Sequence, residues 1–388
     1  MKKALIISDI DSLHTVNFIN SILIKNKTVE KIDLFSTCYD SNLKDEYRDY
    51  YIRNDISILY AGVSKCNYKM INRIRYIIKK SLNLLLLIKN RKYDYCFVLY
   101  CSLPSAIWGY LCAKRNIKII PVFWGGDVLR NNRLNDLFFR NMLSSSYRIV
   151  MPNINSYDIF NKKTNKNYID KTVTIQYPQQ MVSSLLEVEN KIDIKKCREI
   201  FHLPSNKKIV ICGHTATRAE NYLEIIEELQ KCESTVLQEC FFVFMMTYSP
   251  EEYRSYQKKV ETALETSTLN GIVFKEFIPY SDILKLHYLC DIHITAITTD
   301  AFSCFLQEEM FSGSILLYGK WLNYYEIEND DFFAIPFEKI HDLSACFSEV
   351  ITNYDIYKNK SMINRQGIID LASEESIIKE WNRLVFYK

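Results

Sequence analysis

Two carboxylates eight residues apart, Asp300 and Glu308, lie within residues 299–319. An apolar run at residues 292–297 precedes them, and a second apolar run follows Gly313. This order predicts a buried strand, a turn, a helix that glycine ends, and another strand. The start of such a helix offers N–H groups to an anion. The spacing therefore favours a phosphate site flanked by two acids that can bind hydroxyl groups.

A second strand–turn–helix pattern lies at residues 209–229. The apolar run ends at Gly213, the turn reads H-T-A-T-R, and an amphipathic helix follows. Arg218 is the only lysine or arginine of this turn. A guanidinium can bind two phosphate oxygens at once. The alternative is a surface arginine near a helix start, where a cation is slightly unfavourable.

The segment E-E-M-F-S-G-S-I-L-L, residues 308–317, resembles the E-A-M-A-x-G-x-P-V stretch of retaining GT-B glycosyltransferases. Members of this class build bacterial O-antigen, capsule and other surface polysaccharides. Their E-x7-E motif would place its two acids at Asp300 and Glu308. The resemblance implies that Asp300 contacts hydroxyls of the donor sugar and that Glu308 contacts the nucleotide ribose. The donor-side turn between them would consist of Ala301, Phe302 and Ser303.

Residues 209–229 resemble the first strand, loop and helix of the GT-B nucleotide domain. The resemblance implies that Gly213, Thr215 and Arg218 bind the donor diphosphate, with Arg218 also catalytic through the leaving group. The motif T-x-x-x-N-Y-L-E-I-I and the later segment F-M-M-T-Y-S-P-E-E-Y loosely resemble sequences of bacterial transferases that add acetamido-fucose to a lipid-linked glycan.

Two motifs in the first half look like the acceptor side of the same class. The stretch V-F-W-G-G-D-V-L, residues 122–129, resembles a loop in which Gly125 and Gly126 let the backbone approach a ligand and Asp127 holds an acceptor hydroxyl. Residues 8–18, S-D-I-D-S-L-H-T-V-N-F, resemble another such loop, in which His14 binds acceptor or donor phosphate. The resemblance makes Asp127 and His14 catalytic candidates. The alternatives are an acid that caps a helix and a structural histidine.

Short apolar runs alternate with helical patterns along the whole chain, which predicts α/β architecture with parallel, doubly wound sheets. Ligands bind such sheets at the carboxyl ends of the strands. The expected fold is GT-B, with two Rossmann-like domains and a cleft between them. Residues 1–178 would form the acceptor domain, residues 179–371 the nucleotide-sugar domain, and a last helix at about 372–388 would cross back. Residues 176–190 are predicted to be a linker, and residues 332–335 the last strand.

Composition limits the partners. The chain has 388 residues and a formal net charge of +3, so no global field favours nucleic acid. Its 12 cysteines include no C-x-x-C pair, and reduced thiols are typical of a cytoplasmic protein. No signal-peptide pattern or membrane-spanning run is evident. No D-x-D follows a later strand, so we expect no metal or other cofactor.

Residues 65–92 contain nine lysines and arginines and no acid. Apolar residues recur there at helical spacing, which predicts that they pack on the sheet: Met70, Ile71, Ile74, Ile77, Ile78, Leu82, Leu85 and Ile88. The basic face is predicted to contact anionic lipid at the inner face of the cell membrane.

These patterns and the resemblance together predict a glycosyltransferase that moves a sugar from a nucleotide-diphosphate sugar to a lipid-linked or polysaccharide acceptor in bacterial surface glycan synthesis. Retention of the anomeric configuration is implied by resemblance alone. One alternative is an inverting GT-B enzyme with a first-domain acid such as Asp127 as the base. Another is a non-catalytic GT-B module that binds glycan or protein partners.

Overall fold

The computed structural model describes residues 2–37, 43–59, 69–247 and 253–386, excepting the side chains of residues 69–73. The chain forms two compact units. The first comprises Met1–Gln179 together with Glu374–Lys388, and the second comprises Gln180–Ser373. Each unit contains one parallel sheet with helices.

The first unit is built on a parallel sheet whose seven described strands run in the order β3-β2-β1-β4-β5-β6-β7. The strands are β1 Lys3–Ser8, β2 Lys31–Ser36, β3 Ser57–Leu59, β4 Tyr95–Leu99, β5 Lys118–Val122, β6 Ile149–Met151 and β7 Thr172–Thr174. The central strands are almost continuously apolar because side chains on both faces are buried. The strand order reverses between β1 and β4, so their carboxyl ends are a place where ligands bind such sheets.

Helices of the first unit connect these strands. They are α1 Leu13–Phe18, which continues through Ile19–Lys25, α2 Asp45–Arg53, α3 Lys69–Asn90, α4 Leu103–Ala113, α5 Gly126–Leu129, α6 Leu137–Ser145 and α7 Ile154–Lys163. Side-chain caps begin two of them. The Ser102 hydroxyl accepts from the Ser105 N–H at α4, and Asn153 Oδ1 accepts from the Ser156 N–H at α7.

The second unit has six described strands in the order β10-β9-β8-β11-β12-β13, again all parallel. They are β8 Lys208–Cys212, β9 Cys240–Met245, β10 Gly271–Phe274, β11 Ile292–Thr295, β12 Ile315–Gly319 and β13 Ile335–Phe337. The order reverses between β8 and β11. The predicted last strand at residues 332–335 was misplaced: only Ile335 of that range lies in β13.

Helices of the second unit are α8 Met181–Glu189, α9 Ile194–Ile200, α10 Tyr222–Leu229, α11 Ser234–Gln238, α12 Arg254–Glu265, α13 Tyr280–His287, α14 Cys304–Phe311, α15 Leu343–Thr352, α16 Tyr354–Ser361 and α17 Asn364–Ala372. The chain then adds α18, Glu374–Trp381, to the first unit, continued by Asn382–Phe386. A single helical turn of the first unit lies at Ile169–Lys171. Single helical turns of the second unit lie at Arg218–Glu220, Lys320–Leu322, Tyr325–Ile327 and Ile340–Asp342.

Helix α8 corrects the prediction of a linker at residues 176–190. Met181, Val182 and Leu185 are buried in a core cluster with α14 and α17. The apolar positions are too few to reveal a helix in the sequence, whereas burial against two other helices stabilises it.

Helix α3 corrects the predicted packing of the basic segment. Of the apolar residues predicted to lie on the sheet, Ile88 is buried, but Ile74, Ile78 and Leu82 are exposed. Tyr76 and Leu84 are buried instead. Residues 65–68 lie outside the described residues.

Lys80 also lies on the buried side of α3. Its side chain is fully buried, its Nζ donates to the carbonyl of Ser36 at 2.5 Å, and it lies 5.3 Å from the ring centroids of Phe35 and Tyr76. A lysine that satisfies its charge with a carbonyl and two rings can occupy a helix face that the hydrophobic pattern assigns to solvent.

Candidate functional site

The loops after β8 and β11 lie side by side where the strand order of the second unit reverses. The Gly213 N–H donates to the Ile294 carbonyl at 3.1 Å, and the Thr298 N–H donates to the Ala219 carbonyl at 2.8 Å. The Asn221 side chain donates to the Ala296 carbonyl at 2.7 Å. The two motifs that the sequence singled out therefore form one structural site, at the edge where parallel sheets bind ligands.

Gly213 has no room for a side chain. Its φ is +60°, and a Cβ at this position would lie 2.5 Å from the Tyr222 hydroxyl. That hydroxyl lies 2.7 Å from the Thr215 carbonyl and 2.6 Å from the Met245 carbonyl. Tyr222 thus packs against the turn after β8. The lack of space beside its hydroxyl and the positive φ require glycine at the first position of this turn.

Glu220 closes the same turn and was missed by the sequence predictions. It is fully buried, and its Oε1 accepts the Thr215 N–H at 3.0 Å and the Thr215 hydroxyl at 2.7 Å. Its Oε2 has no hydrogen-bond partner among the described residues. The sequence signal was an acid after a glycine turn, but it gave no reason to expect burial.

Arg218 lies on this loop with its side chain exposed. Its guanidinium carbon is 5.7 Å from the ring centroid of Tyr256. This cation–π contact orders the side chain, and its exposure leaves the guanidinium accessible to a ligand. The diphosphate role of Arg218, Gly213 and Thr215 remains a prediction.

Asp300 precedes α14 rather than lying in its first turn, because the helix begins at Cys304. Its Oδ2 accepts the Ser303 N–H at 2.8 Å and the Tyr324 hydroxyl at 2.8 Å. Phe302 is buried and adopts φ +54°, a conformation that is uncommon for a residue with a Cβ. Ala301 lies between Asp300 and Phe302, so this turn before the helix contains no glycine.

Glu308 is buried, and both of its oxygens have partners. The Tyr280 hydroxyl donates to Oε1 at 2.7 Å, and His287 Nε2 lies 2.9 Å from Oε2. The other ring nitrogen, Nδ1, lies 2.9 Å from Oε1 of Glu309. Glu309 is fully buried as well, although adjacent residues of a helix point in different directions.

His287 carries a positive charge in this arrangement. Burial lowers its pKa, but the carboxylates of Glu309 and Glu308 outweigh burial and raise the pKa to about 9. Burial likewise opposes ionisation of Glu309, and the His287 charge nevertheless lowers the pKa of Glu309.

His293 provides a contrasting buried histidine on β11. Burial lowers its pKa to about 4 despite the nearby Glu309 charge, and neither ring nitrogen has a hydrogen-bond partner in the described part of the chain. Phe305 contacts His293, His287 and His214, with ring centroids 5.6, 4.7 and 5.4 Å away. This ring joins the β8 loop, β11 and α13 into one cluster.

Further buried polar atoms of these loops have no hydrogen-bond partner within the described ranges. They are Thr295 Oγ1, Ser303 Oγ and His214 Nδ1, the last of which lies 3.4 Å from Glu220 Oε1 without forming a hydrogen bond. Buried polar groups are nearly always satisfied. A concentration of exceptions at one loop edge is the arrangement expected where a polar ligand supplies the partners.

In the first unit, Asp127 is buried and binds the backbone of two loops. Its Oδ2 accepts the Cys101 N–H at 2.7 Å, and its Oδ1 accepts the Trp124 N–H at 2.8 Å. Burial raises its pKa to about 7, although these N–H groups favour the charged form. Two glycines separate Trp124 from Asp127 in this loop. Gly125 adopts φ +98°, and a Cβ added to Gly126 would meet open space.

His14 lies close to the same loop. Its ring centroid is 4.8 Å from that of Trp124 and 5.6 Å from that of Tyr177. The Tyr177 hydroxyl donates to the His14 carbonyl at 3.0 Å. The structure therefore brings His14 and the Asp127 loop together around aromatic rings, and their acceptor and catalytic roles remain predictions.

A cavity of about 360 Å³ lies elsewhere in the second unit, at the amino ends of β8, β9 and β11. Its polar groups are already used: Asp291 accepts the Ile209 N–H and the Tyr354 hydroxyl, and Lys208 pairs with Glu239. Parallel sheets bind ligands at the opposite edge, so this cavity is not the candidate site.

Among the described residues, no group of three or more histidine, cysteine, aspartate or glutamate side chains is arranged to hold a metal ion. In the same residues, no helix is both long enough and apolar enough to cross a bilayer.

Comparison with known proteins identifies the fold. No protein-family model and no curated protein sequence matches the chain. Solved structures do match over almost the whole length. HepE from Anabaena in complex with UDP and glucose has a TM-score of 0.74 at 10% identity, with 99% of each chain covered.

A glycosyltransferase from Rickettsia africae has a TM-score of 0.69 at 15% identity, with 100% of both chains covered. Sucrose-phosphate synthase from Thermosynechococcus elongatus has a TM-score of 0.72 at 11% identity, with 99% of this chain and 98% of that one covered. These structural neighbours are GT-B glycosyltransferases. The chain has the GT-B fold, as the sequence predicted.

Proposed function

We propose that this GT-B chain is a glycosyltransferase that uses a nucleotide-diphosphate sugar, retains the anomeric configuration and needs no metal. The observation that carries the proposal is the set of unpartnered buried polar atoms on the joined β8 and β11 loops, including Thr295 Oγ1 and Ser303 Oγ. A phosphate and sugar would supply the missing hydrogen bonds. Structures of HepE with UDP and with UDP-glucose support this class of donor.

The proposed roles follow the two loops. Arg218 and the N–H groups at the start of α14 carry the charge of the departing diphosphate. Asp300 accepts hydroxyls of the sugar, and Glu308 accepts hydroxyls of the ribose. The departing diphosphate can take the acceptor proton on the same face, so the reaction requires no carboxylate nucleophile.

A thermal-shift panel with UDP, GDP, TDP and CMP, with and without Mg²⁺, tests the donor site. A diphosphate at 100 times its dissociation constant should stabilise the protein by about 2.7 kcal/mol. We expect one diphosphate to do so without metal, and the shift to disappear in Arg218→Ala and Glu308→Gln. Arg140→Ala, an exposed arginine of α6 in the other unit, is the matched control. Absence of a shift with every nucleotide would favour the non-catalytic module.

An inverting enzyme is the second candidate, because the pKa of Asp127, about 7, suits a general base at neutral pH. Against it, both Asp127 oxygens already accept backbone N–H groups. The anomer of the product, read by NMR, separates the two reactions.

We extend the proposal to a lipid-linked or polysaccharide acceptor of bacterial surface glycan synthesis, with the protein bound to the cytoplasmic face of the membrane. Helix α3 supports the membrane contact. Ile74, Ile78, Leu82 and Leu86 recur every four residues and are 54–60% exposed. Exposed basic residues of the same segment accompany this aliphatic row: Arg75, Lys79, Lys89, Arg91 and Lys92.

An aliphatic row with cations around it fits an anionic lipid surface, where each basic residue contributes roughly 1 kcal/mol. Sedimentation with vesicles of phosphatidylglycerol and phosphatidylcholine tests the contact. We expect binding that falls with salt and is lost in Ile78→Asp and Leu82→Asp. Ile52→Asp, which changes an equally exposed isoleucine of α2, should still bind. Equal binding by all the variants would contradict the proposal.

A further inference from the structure

We infer that His287 is a positioning residue, which orients Glu308 so that its Oε1 accepts a ribose hydroxyl of the donor. This inference rests on the proposed donor site. It assigns a role to a histidine that contacts no ligand itself, and it explains why two adjacent glutamates of α14 are both buried.

The geometry suits a doubly protonated ring. Nε2 of His287 lies 2.9 Å from Glu308 Oε2, and Nδ1 lies 2.9 Å from Glu309 Oε1. Both neighbours are carboxylate oxygens that accept hydrogen bonds when ionised, and only the imidazolium donates from both nitrogens. The pKa of His287, about 9, agrees with this form at neutral pH.

Glu309 anchors the far side of the imidazolium. The Ser314 hydroxyl donates to its Oε2 at 2.6 Å, and Ser314 also contacts the Cys290 carbonyl at 3.2 Å. Glu309 Oε1 lies 4.0 Å from Nδ1 of His293, whose lowered pKa keeps it neutral. The titratable groups buried around His287 in this cluster are therefore Glu308, Glu309 and His293.

The Oε1 atom of Glu308 is the part of this carboxylate that can contact a ligand. Its Oε1 accepts from the Tyr280 hydroxyl at 2.7 Å, and Tyr280 is 40% exposed. A carboxylate oxygen has two lone pairs, so Oε1 can accept a ribose hydroxyl beside Tyr280. With Oε2 held by His287, the carboxylate cannot rotate away, which makes recognition of that hydroxyl stringent.

Two substitutions separate positioning from packing. In His287→Gln the side-chain amide can replace Nε2 and still donate to Glu308. In His287→Asn the shorter amide can replace Nδ1 and donates only to Glu309. We expect both variants to lose stability, whereas only His287→Asn should lose discrimination of the ribose hydroxyl.

The readout is the dissociation constant of the diphosphate that stabilises the wild type most, compared with its 2′-deoxy and 3′-deoxy forms. We expect the wild type and His287→Gln to prefer a hydroxylated form by 10-fold or more, and His287→Asn by less than 3-fold. An unchanged preference in His287→Asn would overturn the inference while the proposed function stands. No binding by the wild type would overturn both.

A pH series on the wild type covers the case in which the variants do not fold. Between pH 7.5 and 10, loss of the His287 proton should weaken binding of the hydroxylated diphosphate by 10-fold or more and reduce its advantage over the deoxy form. A preference that stays constant through pH 10 would also overturn the inference.

Discussion

The two units have the same kind of sheet but treat the polar groups at its loop edge in opposite ways. In the first unit, Asp127 gives both oxygens to backbone N–H groups of neighbouring loops. In the second unit, Thr295, Ser303 and His293 have buried polar atoms without partners in the residues described. The buried acid of the first edge has completed its hydrogen bonds, although the Trp124 indole N–H beside it has no partner among the described residues, whereas several side chains at the second edge have polar atoms without one.

This difference separates buried polar groups that stabilise the fold from buried polar groups that can bind a ligand. A satisfied buried acid links loops and stabilises the fold. An unsatisfied buried group costs stability, so its presence indicates a ligand that supplies the missing partner. The second unit also places His287 between two buried glutamates, Glu308 and Glu309.

Removal of the Asp127 carboxylate should have the largest effect. Asp127→Ala leaves two buried N–H groups without an acceptor, each costing about 1–3 kcal/mol, so we expect a loss of about 2–5 kcal/mol in unfolding free energy. Urea unfolding measures it. Asp127→Asn keeps one acceptor oxygen and should lose less. A loss in Asp127→Ala no larger than that of an exposed control, Asp136→Ala, would remove the contrast between the two edges.

Raising the pH should weaken the second unit through His287. The pKa of His287 is about 9 in the folded chain and about 6.5 when unfolded. The folded state thus binds its proton more tightly, and this contribution is full below pH 6.5 and lost as the pH rises through 9. We expect stability to fall by about 2 kcal/mol between pH 7.5 and 9.

The fall should be absent in His287→Gln and retained in Asp127→Asn. The pKa of Asp127, about 7, is raised above its unfolded value, so its own contribution is lost below this window, as pH rises from about 4 to 7. A pH slope that persists in His287→Gln would assign the effect to another group.

The smallest change in unfolding free energy is expected for a matched pair of buried threonines, which compares the two units directly. Thr15 is buried in the first unit, and its hydroxyl donates to the Asp9 carbonyl and lies 2.7 Å from the Ser8 hydroxyl. Thr295 is equally buried but has no partner among the described residues. We expect Thr15→Val to lose about 1 kcal/mol and Thr295→Val to lose nothing. Chemical denaturation of the two variants measures the difference, and equal losses would show that Thr295 is satisfied.

The fold class was predictable because burial on both faces gives parallel strands nearly continuous apolar runs. The predictions failed where tertiary contacts override local pattern. Met181, Val182 and Leu185 form a helix because α14 and α17 bury them. Ile74, Ile78 and Leu82 face outward, whereas Lys80 lies on the buried side of α3 and donates to the Ser36 carbonyl.

Sequence alone determined the two loops of the candidate site, since Gly213 and the spacing of Asp300 and Glu308 are local features. Only the tertiary structure decided what each acid binds. Asp127 finds its partner in Cys101, 26 residues away, and Glu309 finds His287, 22 residues away. Hydrogen-bond partners of buried acids come from neighbouring strands and helices, whose juxtaposition no local pattern encodes.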